Sequence, residues 1–333
     1  MKFAHFRNSV GLMALLMNFA ISTRAQSFPP ALNSNYRNAT ISFDRSPSLA
    51  TDPTGVYPGF YMAYGSNWRD DYIYISTSYD GVNWTDTAFG TLLRGYSPSI
   101  AFYNGYLWVA WVSDGGGGLT QGALYLDYTN NPSSGFIASP VMVTVTGSPY
   151  EPISSPTLAV YNGQLWIASV DSYQNVLTFG TTNGYAIFEA GTGCGINDPG
   201  GYLPDENAAI GMVAFNNRMY YGYRTSNSTL RVCSTDGSTS TNNSYTSPGV
   251  NSVGSGVFAT VYGNYLTFVY KNYSSDNQVL VGTTDGVNYT QEQYATSMNG
   301  SNEINPATAV YNNTFYMVYT APASDHHMWT SHN

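Results

Sequence analysis

The chain has 333 residues, with 20 acidic and 11 basic side chains, a formal net charge of −9 and only 9% charged residues. This acidic balance argues against nucleic acid or an anionic membrane surface as a partner. The 30 Tyr and 33 Gly residues favour strands and tight turns over helices. The length suits two domains or one all-β domain, and the composition favours one all-β domain.

Residues 1–25 are expected to be a secretory signal peptide. Lys2 and Arg7 precede an apolar run at residues 10–21, which closes on a small-x-small pattern at residues 23–25. The run is too short to span a bilayer, and no later segment is long and apolar enough to do so. We therefore expect residues 26–333 to be a single mature domain without a membrane span, secreted to the extracellular space or the periplasm.

A unit of about 50 residues repeats along the rest of the chain. The stretch "STSYDGVNWT" (76–85) returns as "GTTDGVNYT" (282–290), and a second motif of strand, tight turn and strand occurs six times. Asn-Gly, Asn-Asn or Gly-Asn provides the turn in all but the first copy, which predicts two-residue β-hairpins. The six copies are "SPSLATDPTGVYPGFYMAY", "SPSIAFYNGYLWVAW", "SPTLAVYNGQLWIAS", "IGMVAFNNRMYYGY", "VFATVYGNYLTFVY" and "NPATAVYNNTFYMVY".

A third strand follows each hairpin, and in most units an Asp-Gly or Asn-Gly turn then introduces a fourth. Four antiparallel strands at this period predict an all-β, six-bladed β-propeller with four-stranded antiparallel blades. The last unit ends after its third strand, and an unassigned β-like run, "ATISF" (39–43), precedes the first. We expect this N-terminal strand to pair near Met328 and close the ring. A β-sandwich or a solenoid is the alternative.

In a propeller, the loops that enter the inner strands share one face with the loops that join second to third strands. The basic side chains there are predicted to bind an anionic ligand, since Arg presents paired donors to a carboxylate. These residues are Arg45, Arg69, Arg224 and Lys271. Solvated loop charges are the alternative for each. Trp68, Tyr96, Tyr150 and Tyr202 are aromatic candidates for stacking on sugars, with packing as their alternative.

Two stretches resemble the Asp box, or BNR repeat, of the sialidase (neuraminidase) superfamily of six-bladed propellers. The first, "SYDGVNW" (78–84), is one residue shorter than the motif, and "TDGVNY" (284–289) is a second copy. The resemblance implies a structural role for Ser78, Asp80, Gly81, Trp84, Asp285 and Gly286. The aligned Asp-Gly turns are expected on the face opposite the charged loops.

The first and fourth units also resemble sialidase active-site motifs. Arg45 with Pro47 is similar to the Arg-Ile-Pro of the family, and Arg69 precedes Asp70 and Asp71 at the place of the acid/base. Glu206 and Arg224 match the Glu and Arg of the fourth blade. The resemblance implies that three arginines grip a carboxylate and that a Tyr activated by Glu is the nucleophile.

Two positions differ from that pattern, because Lys271 stands where the third Arg is expected and Asn305 where the Tyr is expected. Tyr96 is our candidate nucleophile, since the repeat places it where Arg45 stands in the preceding unit. The first interpretation is a secreted, sialidase-like propeller acting on glycans as a glycoside hydrolase with altered substrate. Asp70 or Asp71 would be the acid/base, and Glu206 would polarise the nucleophile. The alternative is a non-catalytic lectin-like or protein-interaction propeller.

The remaining predictions concern cysteines, metals and assembly. Cys194 and Cys233 are the only cysteines, and export makes a disulfide between them plausible, with two buried thiols as the alternative. The four His residues form no evident metal motif, and no cofactor fingerprint is present, so neither a metal nor a cofactor is expected. We expect a monomer whose partner is a glycan or glycoconjugate.

Overall fold

The fold is a ring of six antiparallel sheets with four strands each. In this computed structural model, the inner strand of every sheet contacts the inner strands of both neighbouring sheets. The predicted six-bladed β-propeller is therefore confirmed. The structure describes residues 28–32, 34–42, 46–65, 72–87, 95–132, 140–145, 147–173, 176–183, 188–192, 208–236, 240–241, 253–273, 277–294, 305–320 and 327–333.

The chain begins with an outer strand that belongs to the last blade, and then builds blades 1 and 2. The outer strand is β1 (Ser34–Ser42). Blade 1 consists of β2 (Ser48–Thr51), β3 (Phe60–Gly65), β4 (Ile73–Ser78) and β5 (Thr85–Thr87). Blade 2 consists of β6 (Gly95–Tyr103), β7 (Tyr106–Ser113), β8 (Leu124–Thr129) and β9 (Val141–Met142), with a 3-10 turn at Gly116–Gly118.

Blades 3 and 4 follow a small two-stranded hairpin. The hairpin pairs β10 (Thr144–Val145) with β11 (Ser148–Pro149). Blade 3 consists of β12 (Thr157–Tyr161), β13 (Gln164–Val170), β14 (Val176–Thr181) and β15 (Phe188–Thr192). Blade 4 consists of β16 (Gly211–Phe215), β17 (Arg218–Arg224), β18 (Leu230–Thr235) and β19 (Ser240–Thr241).

Blades 5 and 6 complete the ring. Blade 5 consists of β20 (Phe258–Tyr262), β21 (Tyr265–Lys271), β22 (Gln278–Thr283) and β23 (Thr290–Tyr294). Blade 6 takes β24 (Ala307–Tyr311), β25 (Thr314–Thr320) and β26 (His327–His332) from the C-terminal part of the chain.

The N-terminal strand closes blade 6, as the sequence predicted. β1 pairs antiparallel with β26, with Asn38 opposite Met328 and Ser42 opposite His327. The strand begins earlier than the predicted residues 39–43, because β26 runs on to His332 and so provides a pairing partner as far back as Ser34. The first and last parts of the chain therefore fold as one sheet.

Every blade has one end at each of two faces. We call the face where the inner strands begin and the second strands end the loop face. The hairpin face is the opposite one, and it carries the turns between first and second strands and the Asp-Gly turns. The hairpin turns have the predicted geometry, because Asn104, Asn162, Asn216 and Asn312 have φ of 50°, 50°, 46° and 48°.

Apolar clusters fill the gaps between neighbouring blades. Trp111 and Val109 of blade 2, for example, pack with Ile75 and Ala63 of blade 1. Alternate residues of each strand point to opposite sides of the blade, so every central strand contributes to two clusters. None of the described residues forms a helix long and apolar enough to cross a membrane.

Candidate functional site

Six polar side chains line the propeller axis near the loop face. They lie at or near the starts of the inner strands and are Ser46, Ser48, Ser99, Ser155, Thr157 and Asn305. We call this set the axial ring. The free space it encloses is about 20 Å³, which is room for about one water molecule. The space between these residues is therefore too small for a sugar ring.

Hydrogen bonds between blades hold the axial ring in place. The backbone N–H of Ile100 donates to Ser48 Oγ at 3.1 Å, and that of Leu158 donates to Ser99 Oγ at 2.9 Å. The N–H of Asn305 donates to Ser46 Oγ at 2.8 Å, which links blade 6 to blade 1. These bonds tie together the starts of the inner strands of blades 6, 1, 2 and 3.

A repeated Ser-Pro motif in the sequence marks the axial ring. Ser-Pro-Ser or Ser-Pro-Thr opens three of the inner strands, at residues 46–48, 97–99 and 155–157. Proline has no N–H, so it leaves no unsatisfied donor facing the axis, and the flanking hydroxyls supply the contacts between blades. Repeated Ser-Pro-Ser motifs at strand starts therefore indicate contacts around the axis.

Arg224 and Lys271 occupy equivalent places in blades 4 and 5. Each ends the second strand of its blade, and their last ladder partners are Leu230 and Gln278. Arg224 is half-buried, and its Nη2 donates to Ser228 Oγ at 3.3 Å. Lys271 is only 1% exposed. The predicted equivalence holds, but Lys271 lies below the surface of the loop face, so its role in binding a ligand stays a prediction.

Most of the other predicted site residues lie outside the described part of the chain. They are Arg45, Arg69, Asp70, Asp71, Glu206, Trp68 and Tyr202. Tyr96 is described in its backbone alone, at the loop-face end of β6 opposite Val112. The roles assigned to these residues stay predictions.

The described acidic groups of the loop face mainly shape turns. Asp114 Oδ1 accepts the N–H of Gly116 at 2.7 Å, and Asp171 Oδ1 accepts that of Tyr173 at 2.9 Å. Glu151 is exposed. Among the described ranges, no three His, Cys, Asp or Glu side chains come together in a way that could hold a metal ion.

Two exposed tyrosines lie on the loop face and were missed in the sequence. Tyr173 follows β13 and is 80% exposed, and Tyr273 follows β21 and is 56% exposed. Tyr150, one of the predicted stacking residues, is instead buried, and its hydroxyl accepts a hydrogen bond of 3.1 Å from Ser169. Packing, the alternative for Tyr150, is therefore its role. Nothing in composition separates these tyrosines, since exposure depends on the loops that carry them.

The Asp-Gly turns lie on the hairpin face and stabilise themselves. Asp80 Oδ1 accepts the N–H groups of Val82 and Asn83 at 2.8 and 2.7 Å, and Trp84 Nε1 donates to the Gly81 carbonyl at 3.1 Å. Ser78 Oγ donates to Asp80 Oδ1 and accepts the N–H of Gly81, at 3.0 and 2.9 Å.

The second Asp-Gly turn repeats this network. Asp285 Oδ1 accepts the N–H groups of Val287 and Asn288, both at 2.8 Å. These N–H groups hold the pKa of Asp285 well below its usual range. The Tyr289 hydroxyl donates to the Gly286 carbonyl at 3.1 Å, as Trp84 does to Gly81 in the first turn. Both turns therefore act as structural parts, on the face opposite the charged loops. Their identification as Asp boxes stays a prediction.

Cys233 lies in β18 and is buried in the cluster between blades 3 and 4. None of the described cysteines carries a free thiol. Cys194 lies outside the described residues, so the pairing of Cys194 with Cys233 stays a prediction.

Comparison with known proteins supports the fold. No protein-family model matches the sequence, and no curated protein matches it. Among solved structures, the α-L-arabinofuranosidase Arb93a of Fusarium graminearum is 11% identical with a TM-score of 0.59, over 90% of this chain and 97% of that one. A lectin of Aleuria aurantia bound to α-methyl-L-fucoside is 9% identical with a TM-score of 0.60, over 86% of this chain and 90% of that one.

A third similar structure is the sialidase of Trypanosoma rangeli. It is 12% identical with a TM-score of 0.58, over 90% of this chain but only 57% of the sialidase. At such identities the similarity concerns the fold alone. The chain therefore shares its β-propeller fold with glycoside hydrolases and with a sugar-binding lectin.

Proposed function

We propose that this protein engages glycans through its loop face. The observation that carries the proposal is the pair of exposed rings, Tyr173 and Tyr273, on the same face as the polar axial ring. A tyrosine offers an apolar ring face and a polar hydroxyl, and this combination suits a sugar ring with its C–H face and its hydroxyls. Propellers of the same fold include a sialidase, an arabinofuranosidase and a fucose-binding lectin, which supports a glycan as the ligand.

In the catalytic form of the proposal, the protein is a glycoside hydrolase of sialidase type. Arg45, Arg69 and Arg224 bind an anionic group of the substrate, and Asp70 or Asp71 protonates the leaving oxygen. Glu206 polarises Tyr96, whose oxygen attacks the anomeric carbon and is later displaced by water. The support is positional: Arg224 ends its strand at the loop face, and Tyr96 is the second residue of β6 there.

The non-catalytic form is a lectin-like propeller, and two observations favour it. Lys271 is buried at the place in the fifth unit where the resemblance predicts a substrate-binding arginine. Asn305 is also buried, 4% exposed, at the start of the sixth inner strand where the resemblance predicts a tyrosine nucleophile. A carboxamide cannot act as that nucleophile, whereas binding through exposed tyrosines requires none.

Export and covalent state belong to the same proposal. The apolar segment at residues 10–21 and the cleavage pattern after it support removal of residues 1–25. In an oxidising compartment, Cys194 and Cys233 pair, and the mature protein is a monomer. Peptide mapping of the secreted protein without reductant tests the cleavage site and the disulfide together.

An NMR time course tests the function. Purified residues 26–333 are mixed with sialylated and neutral oligosaccharides, and product signals are followed together with saturation transfer from the protein. Released monosaccharide supports the hydrolase, and the double variant Asp70→Asn and Asp71→Asn should then abolish turnover with unchanged folding. Saturation transfer without release supports the lectin. Absence of both would contradict the proposal.

A further inference from the structure

A second cavity lies on the hairpin face, at the opposite end of the propeller from the loop face. Its volume is about 530 Å³, within the range of about 300–1,000 Å³ that is usual for small-molecule sites. The turns of blades 3 and 4 form it, through Tyr161, Asn162, Ala214, Phe215, Asn216 and Asn217. We call it the hairpin cavity.

The described residues that line the hairpin cavity are uncharged and rich in carboxamides. Asn162, Asn216 and Asn217 are all exposed, and a carboxamide carries two N–H donors and one carbonyl acceptor. Asn216 Nδ2 already donates to the Thr284 carbonyl at 3.5 Å, so this side chain offers a ligand its carbonyl and one further N–H. Tyr161 and Phe215 add aromatic surface beside them. Donor and acceptor pairs next to an aromatic ring suit a ligand with several hydroxyl groups and an apolar face.

Hydrogen bonding and turn geometry hold the backbone of the two hairpins that form the cavity. Tyr161 donates a 2.6 Å hydrogen bond to the Asn217 carbonyl, which joins the two hairpins that form the cavity. Asn162, Asn216 and Asn217 occupy left-handed turn positions, with φ of 50°, 46° and 57°. Because the turn backbones are held in this way, binding requires the ordering of few groups beyond the amide side chains.

We propose that the hairpin cavity is a second binding site and that it takes a neutral saccharide residue. The six described lining residues carry no charged side chain, which argues against an anionic sugar, and the amides match vicinal hydroxyl pairs. The site is separate from the loop face and does not rest on the function proposed there. If both faces bind sugar, the protein presents two sites at opposite ends of one rigid body.

Saturation-transfer NMR of residues 26–333 tests the proposal, with methyl glycosides of glucose, galactose, mannose and fucose, and lactose, as probes. The informative variant is Asn162→Gly, which removes the carboxamide but keeps a residue suited to positive φ. Asn104→Gly is its matched control, because Asn104 has the same φ of 50° in the hairpin of blade 2 and does not line the cavity.

We expect at least one of these probes to bind, with an affinity weakened about fivefold or more by Asn162→Gly and unchanged by Asn104→Gly. Equal affinities for the two glycine variants, or no saturation transfer to any probe, would overturn the proposal. Adenosine and uridine are tested in the same way. If they bind and the sugars do not, and Asn162→Gly abolishes that binding, the assignment of a saccharide is overturned.

Discussion

The hydroxyl of Tyr103 in blade 2 donates a 2.7 Å hydrogen bond to the carbonyl of Gly163 in the hairpin of blade 3. It also reaches the carbonyl of Thr182, at 3.1 Å. Tyr161 repeats the relationship one blade later, with Asn217 as its hairpin partner. A tyrosine just before the turn thus fastens each of these blades to the next. The repeated Tyr-Asn-Gly of the sequence serves this contact as well as the turn.

Tyr103→Phe should therefore lower the free energy of unfolding. The substitution keeps the buried ring but leaves two carbonyl groups without their donor, so we expect a loss of about 1 kcal/mol. Chemical denaturation checks it, with a lower midpoint and an unchanged slope. Tyr173→Phe is the control, since it removes a hydroxyl from an 80% exposed ring and should change stability by less than about 0.5 kcal/mol. Equal midpoints for the two variants would contradict the contact.

Gly81→Ala tests the docking of an Asp-Gly turn on the neighbouring blade. A Cβ at Gly81 would lie 2.6 Å from Cδ1 of Tyr316 in blade 6, and Gly81 has a φ of +74°. Gly105 has a nearly equal φ of +77° but no atom within 4 Å of such a Cβ. Both variants should lose about 1 kcal/mol to backbone strain, and Gly81→Ala should lose roughly 1–3 kcal/mol more to overpacking. Thermal unfolding measures both variants. An equal loss of stability in the two would show that the close contact with Tyr316 has no energetic role.

The sequence predicted the fold well because the fold depends on local patterns that repeat. Asn-Gly and Asn-Asn turns specify tight hairpins by steric rules that act within a few residues. The last unit lacks a fourth strand, so the N-terminal run was the segment expected to complete its sheet. β1 pairs with β26 opposite Met328 as expected. Repeat length and turn residues are visible in the amino-acid sequence, so the fold could be predicted from them.

The candidate site was less predictable, because burial and contact around the axis depend on all six blades together. Lys271 shows the difficulty: its alignment with Arg224 was correct, yet its burial at 1% exposure follows from packing between blades. Tyr150 and Tyr173 show the same, since one is buried and the other is exposed although both lie in loops at the same face. Alignment of the repeats predicts where a side chain lies along its strand. It does not predict how exposed that side chain is.

Asp127 should make stability depend on pH. It is 1% exposed in β8, Oδ2 has no hydrogen-bond partner among the described residues, and burial raises its pKa to about 7. A raised carboxyl pKa means that the folded state binds the proton more tightly. The contribution of Asp127 to the free energy of unfolding is therefore largest below about pH 4, and it falls as the pH rises from about 4 to about 7.

Asp127→Asn removes this titration. The free energy of unfolding of the variant, relative to that of the unchanged protein, should rise by on the order of 2–4 kcal/mol from pH 5 to pH 8. Denaturation at both pH values measures it. Asp80→Asn is the control. Although burial alone would raise the pKa of Asp80, the N–H groups of Asn83 and Val82 lower it to about 2. Its contribution is therefore lost only below about pH 4 and is constant from pH 5 to pH 8. A pH-independent difference for Asp127→Asn would show that folding does not raise the pKa of this carboxyl above its value in the unfolded chain.

Tyr173 and Tyr273 should carry much of the glycan affinity of the loop face. Replacing either with Ala removes an exposed ring, and we expect about tenfold weaker binding of the oligosaccharide identified by NMR, with unchanged stability. Titration followed by NMR shifts measures the effect. Tyr79→Ala is a matched control, because Tyr79 is 78% exposed but belongs to the hairpin face. An equal loss for Tyr79→Ala would indicate non-specific stacking, and no loss for Tyr173→Ala or Tyr273→Ala would place the glycan elsewhere on the loop face.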